Sequence, residues 1–238
     1  MYKIRMRFSK KDFMIFISHL DLARVMERAL RRAEVSLSFS QGFNPHPKIS
    51  FATALALGVS SDGEYVDVEI EEKIDLKTFK DKINMELPEG IEVIQCKYID
   101  VKSKALMAII EYSTYMVRCS LKNDIREEEL KENISEFMKN EEIIVYKTIK
   151  KRNKERNKEI NIRPLIKKIE FINKGNEYCV FKMTLATGSR GNLKPEVVME
   201  KLKDIGKMPI VLETVRIHRL DLYGMKAHKM IEPLELSI

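Results

Sequence analysis

The chain has 238 residues, 44% of them hydrophobic, with a net charge of +7 and a pI near 9.1. That apolar content excludes wholesale disorder, and no uninterrupted apolar run is long enough to span a bilayer. The excess of cations favours a polyanionic partner, most simply nucleic acid.

The opening MYKIRMRFSKKDF alternates charged and apolar residues and lacks a signal-peptide core. Within it, Tyr2 to Phe8 reads as a half-buried strand, with Ile4, Met6 and Phe8 facing one way and Lys3, Arg5 and Arg7 the other. A helix follows. Ser18 is its N-cap and Asp21 its capping-box acid. Leu22, Val25, Met26, Ala29, Leu30 and Ala33 form its apolar stripe, while Arg24, Arg28, Arg31 and Arg32, at i, i+4, i+7 and i+8, fall on one face of the helix. Strands are expected near 48–55 and 64–70, a helix over 76–87 closed by Pro88 and Gly90, and a strand at 92–99.

The second half repeats this order. AIIEYSTYMVRCSL is a strand, and REEELKENISEFMK is a helix with acids in its first turn, where the helix dipole favours them. EIIVYKTIKK and EYCVFKMTLAT are strands, KPEVVMEKLKDI is a helix with Pro195 near its start, and PIVLETVRIHRLDLYG is the last strand. The predicted class is α+β, with two tandem ferredoxin-like βαββαβ domains over 1–104 and 105–238. Each domain would pack two helices on one sheet face and leave the other face free for a ligand.

Three stretches could carry binding. The arginine face of the first helix suits a phosphate backbone, because a guanidinium binds phosphate bidentately; a solvated helix face, with Glu27 and Glu34 offsetting part of the charge, is the plain alternative. The run from Lys147 to Lys158 holds seven cations (Lys147, Lys150, Lys151, Arg152, Lys154, Arg156 and Lys158) against one acid, Glu155. It reads as an exposed basic arm between two strands, able to track phosphates or merely to solubilise. In ATGSRGNLKPEVV, Gly188 and Gly191 flank Arg190 just before a helix. Free N–H groups there suit an anion, although the Walker ending is missing and a simple turn explains the pattern too.

The histidines with chemical potential are His19, His46 and His218. His46 sits beside Asn44 in GFNPHPK, stiffened by Pro45 and Pro47, and His218 is expected to share a strand face with Arg216. No HExxH, HxH, GxSxG or CxxC pattern occurs, so no metal site and no cofactor is expected. Cys96, Cys119 and Cys179 are odd in number and far apart, and read as reduced core thiols of a cytoplasmic protein.

The stretch SHLDLARVMERALRRAEVSLSFSQGFNPHPKISFATALALGVSSDGEYVDVEI resembles the N-terminal signature of the radical SAM-linked protein family, a domain of unknown function. The matching motifs are Ser18–Asp21, Glu27–Ala33, Ser40–Phe51, Leu57–Val59 and Glu64–Glu69; weaker likeness continues in INIRPLI, GNLKPEVV and RIHRLDLY. The resemblance implies a radical SAM protein as partner, fused or encoded alongside, and no settled activity. This chain lacks the cysteine triplet of radical SAM enzymes, so the catalyst would be the partner.

Three functions follow. The first is a non-catalytic RNA-binding accessory that presents tRNA or rRNA to a radical SAM partner. The second is a protein-interaction module that docks that enzyme without nucleic acid. The third, by fold-level similarity to CRISPR RNA-processing proteins, is a metal-independent endoribonuclease with His19 or His46 as general base.

Overall fold

The computed structural model describes the chain except for residues 152, 153, 177, 237 and 238. The fold is mixed α+β, built on a large and mostly antiparallel sheet. The chain divides into two compact units, Met1–Ser113 with His218–Ile238, and Thr114–Ile217.

The first unit contains β1 (Tyr2–Lys10), α1 (His19–Arg32), a short β2 (Ile49–Phe51), β3 (Ser60–Ile70), α2 (Leu76–Glu86), β4 (Ile91–Ile99) and a single helical turn, α3 (Leu106–Ile109). Its strands lie in the order β4-β1-β3-β2 with antiparallel neighbours. Ile4 faces Val68 and Met6 faces Val66, so these side chains share the face that packs against Leu22, Met26 and Leu30 of α1 and Phe79 and Ile83 of α2. Each such side chain contributes about 1.5–3 kcal/mol by leaving water. The Ser18 hydroxyl caps α1 as its sequence indicates, accepting from the Asp21 amide at 3.2 Å and donating to the Asp21 carboxylate at 2.7 Å.

The opposite face of this sheet is not free, contrary to expectation. Leu106, Ile109 and Ile110 come from one side and Leu222, Leu234 and Leu236 from the C-terminal stretch, and they pack with Ala52 and Tyr65 into a second core. Lys3, Arg5 and Arg7 therefore point into protein, and Arg5 is 1% exposed. The alternation in β1 was legible, but the segments that cover its charged side lie about 100 and more than 200 residues away along the chain.

The second unit contains most of β5 (Tyr112–Leu121), α4 (Glu127–Lys139), β6 (Ile144–Lys151), β7 (Lys154–Asn161), β8 (Ile166–Lys174), β9 (Cys179–Ala186), α5 (Pro195–Asp204) and the first half of β10 (Ile210–Lys226). From His218 onward β10 belongs to the first unit, where β11 (Lys229–Ile231) folds back on it. The strand order is β10-β5-β9-β8, while β6 and β7 pair only with each other. Here the sequence reading needs correction: EIIVYKTIKK is one strand of the arm, and the strand beside β9 is β8, which the periodicity did not reveal. Its register shifts between Ile166 and Lys168 and again between Phe171 and Asn173. These irregularities leave Ile166 and Ile169 both buried at a spacing of three, which hides the period of two.

Candidate functional site

β10 enters the first unit parallel to the start of β3, with His218 opposite Ser60 and Arg219 opposite Ser61. The approach is close because residue 63 is glycine: a Cβ there would lie 2.5 Å from the Asp221 Cα and 2.6 Å from the Leu220 carbonyl oxygen. At this crossing His218 is held at both ring nitrogens. Nδ1 lies 2.8 Å from the Ser60 hydroxyl, and Nε2 lies 2.8 Å from Oδ2 of Asp62. Lys11 grips the other oxygen of that carboxylate at 2.6 Å. Burial alone would raise the Asp62 pKa, but the hydrogen bonds from Lys11 and His218 outweigh it and hold the carboxyl below its ordinary value. The His218 and Asp62 side chains remain 27% and 38% exposed, so the cluster opens to solvent.

The same unit holds three further ion pairs, two of them fully buried and the third largely so. Arg5 clamps Asp67 through two hydrogen bonds of 2.7 and 2.9 Å and donates to the Pro233 carbonyl at 2.9 Å. Arg219 binds Glu64 at 3.0 Å, and Arg7 binds Asp221 at 2.7 Å. Buried pairs of this kind add little net stability, but losing one partner strands a charge in the interior, which is strongly destabilising. The sequence reading missed Ser60, Asp62, Glu64, Asp67 and Asp221. A cross-strand pairing of Arg5 with Asp67 becomes visible only once the β1–β3 register is known.

The arginines of α1 are all exposed, and three of the four are paired: Arg24 with Asp21 at 3.3 Å, Arg31 with Glu27 at 2.9 Å and Arg32 with Glu86 at 2.7 Å. Arg28 and Arg32 line a shallow groove of about 360 Å³ with Val25, Leu87 and Pro88. After α1, the chain turns at Phe39, whose ring lies 5.5 Å from the Arg31 guanidinium and which bridges to Pro47. That contact seats the base of the 40–47 loop on the arginine helix. Asn44 and His46 are exposed on the loop, as is the full ring of Phe43. The loop is closed by Ser40, whose amide donates to the His46 carbonyl at 2.8 Å and whose hydroxyl accepts from the His46 amide at 3.0 Å. His19 instead packs edge-on against Phe51 at 5.4 Å.

In the second unit, the arm is a regular antiparallel hairpin with Lys147 opposite Lys158, Ile149 opposite Arg156 and Lys151 opposite Lys154. The same register sets Lys150 opposite Glu155. Arg152 lies outside the described residues. Exposed Tyr146 stands at the root of the arm. Arg190 is exposed in a short turn, Gly188–Arg190, that precedes α5 by four residues. Arg216 is turned back on its own strand, donating to the carbonyls of Glu213 and Val215.

Among the described residues no group of three or more His, Cys, Asp or Glu could hold a metal ion, and no helix is long and apolar enough to cross a membrane.

No curated protein matches the chain. Among solved structures, it is similar to a chain of a Cbf5-Nop10-Gar1 complex at 12% identity and a TM-score of 0.53, covering 92% of this chain and 48% of that one. It also aligns with chains of an archaeal box H/ACA sRNP Nop10-Cbf5 complex and of an H/ACA RNP bound to a substrate RNA containing 2'-deoxyuridine. Both are 10% identical, with TM-scores of 0.47 and 0.48, and in each 91% of this chain and 46% of that one are covered. The chain thus spans about half the length of the structures it matches. In sequence, residues 3–195 match a family described as an uncharacterized protein conserved in bacteria (DUF2344), and the chain belongs to that family.

Proposed function

We propose that this protein is an RNA-binding accessory whose β6–β7 arm tracks a phosphate backbone. The observation that carries this reading is the regular pairing of the arm, which sets Lys147 opposite Lys158 and Lys151 opposite Lys154 within a run of seven cations and one acid. Like charges set opposite one another are unfavourable unless an anion offsets them, and a cationic strand ribbon can follow a row of phosphates. The strand orders β4-β1-β3-β2 and β10-β5-β9-β8, each formed by a βαββαβ chain order with β6 and β7 as an insertion in the second, support two ferredoxin-like repeats, the domain plan expected over 1–104 and 105–238. The arginine helix, Arg190 and the His46 loop are further contact surfaces in this reading, and a radical SAM protein is the proposed recipient of the RNA, on the strength of the SHLD to EYVDVE motifs. Electrophoretic shifts with a structured RNA at several salt concentrations test it. Binding should weaken steeply with salt, and Lys147→Ala with Lys158→Ala should flatten the slope of log K against log salt by about 1–2. Affinity independent of salt and of these lysines rejects it.

One observation favours a protein-docking role as a second reading. Phe13, Phe16, Leu20 and Leu57 are all more than 60% exposed, and the Gly58 amide donates to the Ile15 carbonyl at 3.0 Å, bringing the Leu57 loop to the turn that carries the two phenylalanines. An apolar group of this kind suits a protein partner. Co-purification that survives nuclease treatment but fails in Phe13→Ser with Phe16→Ser supports it.

A further inference from the structure

We propose that Ser60 is a nucleophile, activated by His218 and oriented through Asp62, that accepts an acyl group from an activated ester. The geometry is that of an alcohol, a base and a carboxylate in line, with both hydrogen bonds at 2.8 Å. The direction of the relay follows from the carboxylate. Asp62 has no proton to give, being held ionised by Lys11 at 2.6 Å, so the neutral imidazole must carry its proton on Nε2. That leaves the Nδ1 lone pair facing the Ser60 hydroxyl, which is what a general base needs. The parallel pairing of β3 and β10 fixes His218 against Ser60, and Gly63 allows the two strands to come together there. Two features set the cluster apart from a buried structural histidine. It is open to solvent, and among the described residues no other histidine has a carboxylate within ion-pair distance.

In the step proposed, Ser60 Oγ attacks the ester carbonyl carbon while its proton passes to His218 Nδ1. The Oγ–C bond forms, the bond from that carbon to the leaving oxygen breaks, and the departing alkoxide takes the proton from Nδ1. Water then gives its proton to Nδ1 and adds to the acyl carbon, the bond from that carbon to Oγ breaks, Oγ takes the proton back from Nδ1, and the carboxylic acid leaves. Asp62 is a positioning residue that selects the tautomer, and Lys11 fixes its carboxylate.

A tagged alkyl fluorophosphonate tests this with the full chain. It substitutes phosphorus for the acyl carbon: the Oγ–P bond forms, fluoride leaves, and the proton goes to His218. Peptide mass spectrometry should find the tag on Ser60. The rate should fall about 100-fold or more in His218→Gln, the usual contribution of a general base, and the site should be unlabelled in Ser60→Ala. Asp62→Asn, which frees the choice of tautomer, should slow labelling and move the midpoint of its pH profile. Labelling of the wild type no faster than of Ser60→Ala, or confined to other serines, overturns the proposal. Should His218→Gln not fold, the comparison of wild type, Ser60→Ala and Asp62→Asn decides it: equal rates and an unmoved midpoint in the last reject the relay.

Discussion

Tyr65 donates a 2.7 Å hydrogen bond to Oδ1 of Asp221, and Arg7 holds the other oxygen of that carboxylate at 2.7 Å. Burial dominates the balance here. It pushes the Asp221 pKa up to about 6 despite the opposing pull of Tyr65 and Arg7. The folded state therefore holds this proton more tightly than the unfolded chain, where the group titrates near 4 as a free Asp does, at about 3.9. The stability this gives is fully present below about pH 4 and is lost as pH rises through about 6. Two units correspond to roughly 3 kcal/mol. Urea unfolding of wild type and Asp221→Asn between pH 4 and 7 checks this: the stability difference between them should move against the wild type as pH rises, mostly below pH 6.5. A difference that is flat over this range contradicts the assignment.

The arm should be separable from the fold. β6 and β7 pair only with each other, and the sheet of the second unit closes through β10, β5, β9 and β8 without them. Replacing residues 147–158 with a two-residue Asn-Gly turn should leave the melting temperature within a few degrees of the wild type and the far-ultraviolet spectrum native-like, while removing most of the salt dependence of RNA binding and leaving only the share carried by the other contact surfaces. Loss of cooperative unfolding would mean that the arm is part of the core.

How much of this could be read from the sequence depended on how local each signal is. The cap at Ser18, the stripe from Leu22 to Ala33 and the alternation of Ile4, Met6 and Phe8 are all local and were legible. The burial of Arg5 was not, because the groups that receive it, Asp67 and the Pro233 carbonyl, lie 62 and 228 residues away. β8 escaped because its register irregularities break the alternation on which strand reading rests. In the candidate site, His218 was singled out from sequence but Ser60 and Asp62 were not. A serine and an aspartate two residues apart in SSDGEY look like turn chemistry. Only the pairing of β3 with β10 turns them into partners of a histidine more than 150 residues later.

The three thiols should be silent in the native protein. Cys119 and Cys179 face each other with sulfurs 3.4 Å apart and are 1% and 0% exposed, and the hydrogen bond to Cys179 together with burial pushes the Cys119 thiol up. Cys96 is only half-buried, but burial pushes its pKa up to about 12, so almost none of it is thiolate at neutral pH. A chromogenic disulfide reagent at pH 7.5 should detect well under one thiol per chain over minutes, and three after unfolding in guanidinium. Rapid native reaction of one thiol would identify Cys96 as more open than this environment allows.

Gly63 offers a test that joins the fold to the candidate site. It has an extended backbone, so an alanine is not excluded by its dihedral angles; what excludes it is the backbone of Leu220 and Asp221, which a methyl group would meet at 2.6 and 2.5 Å. Backbone cannot rotate away as a side-chain end can, so β10 must shift relative to β3. Overpacking of this order costs about 1–3 kcal/mol, and the movement falls on the segment that aligns His218 with Ser60 and Arg7 with Asp221. Gly63→Ala should lower the urea midpoint and, at temperatures where the variant is still fully folded, slow fluorophosphonate labelling of Ser60 by more than tenfold, since a misplacement of about 1 Å is enough for a 100-fold loss. A variant destabilised but labelled at the wild-type rate would mean that the crossing is structural and does not set the relay. A variant neither destabilised nor slowed would contradict the close approach of the two strands.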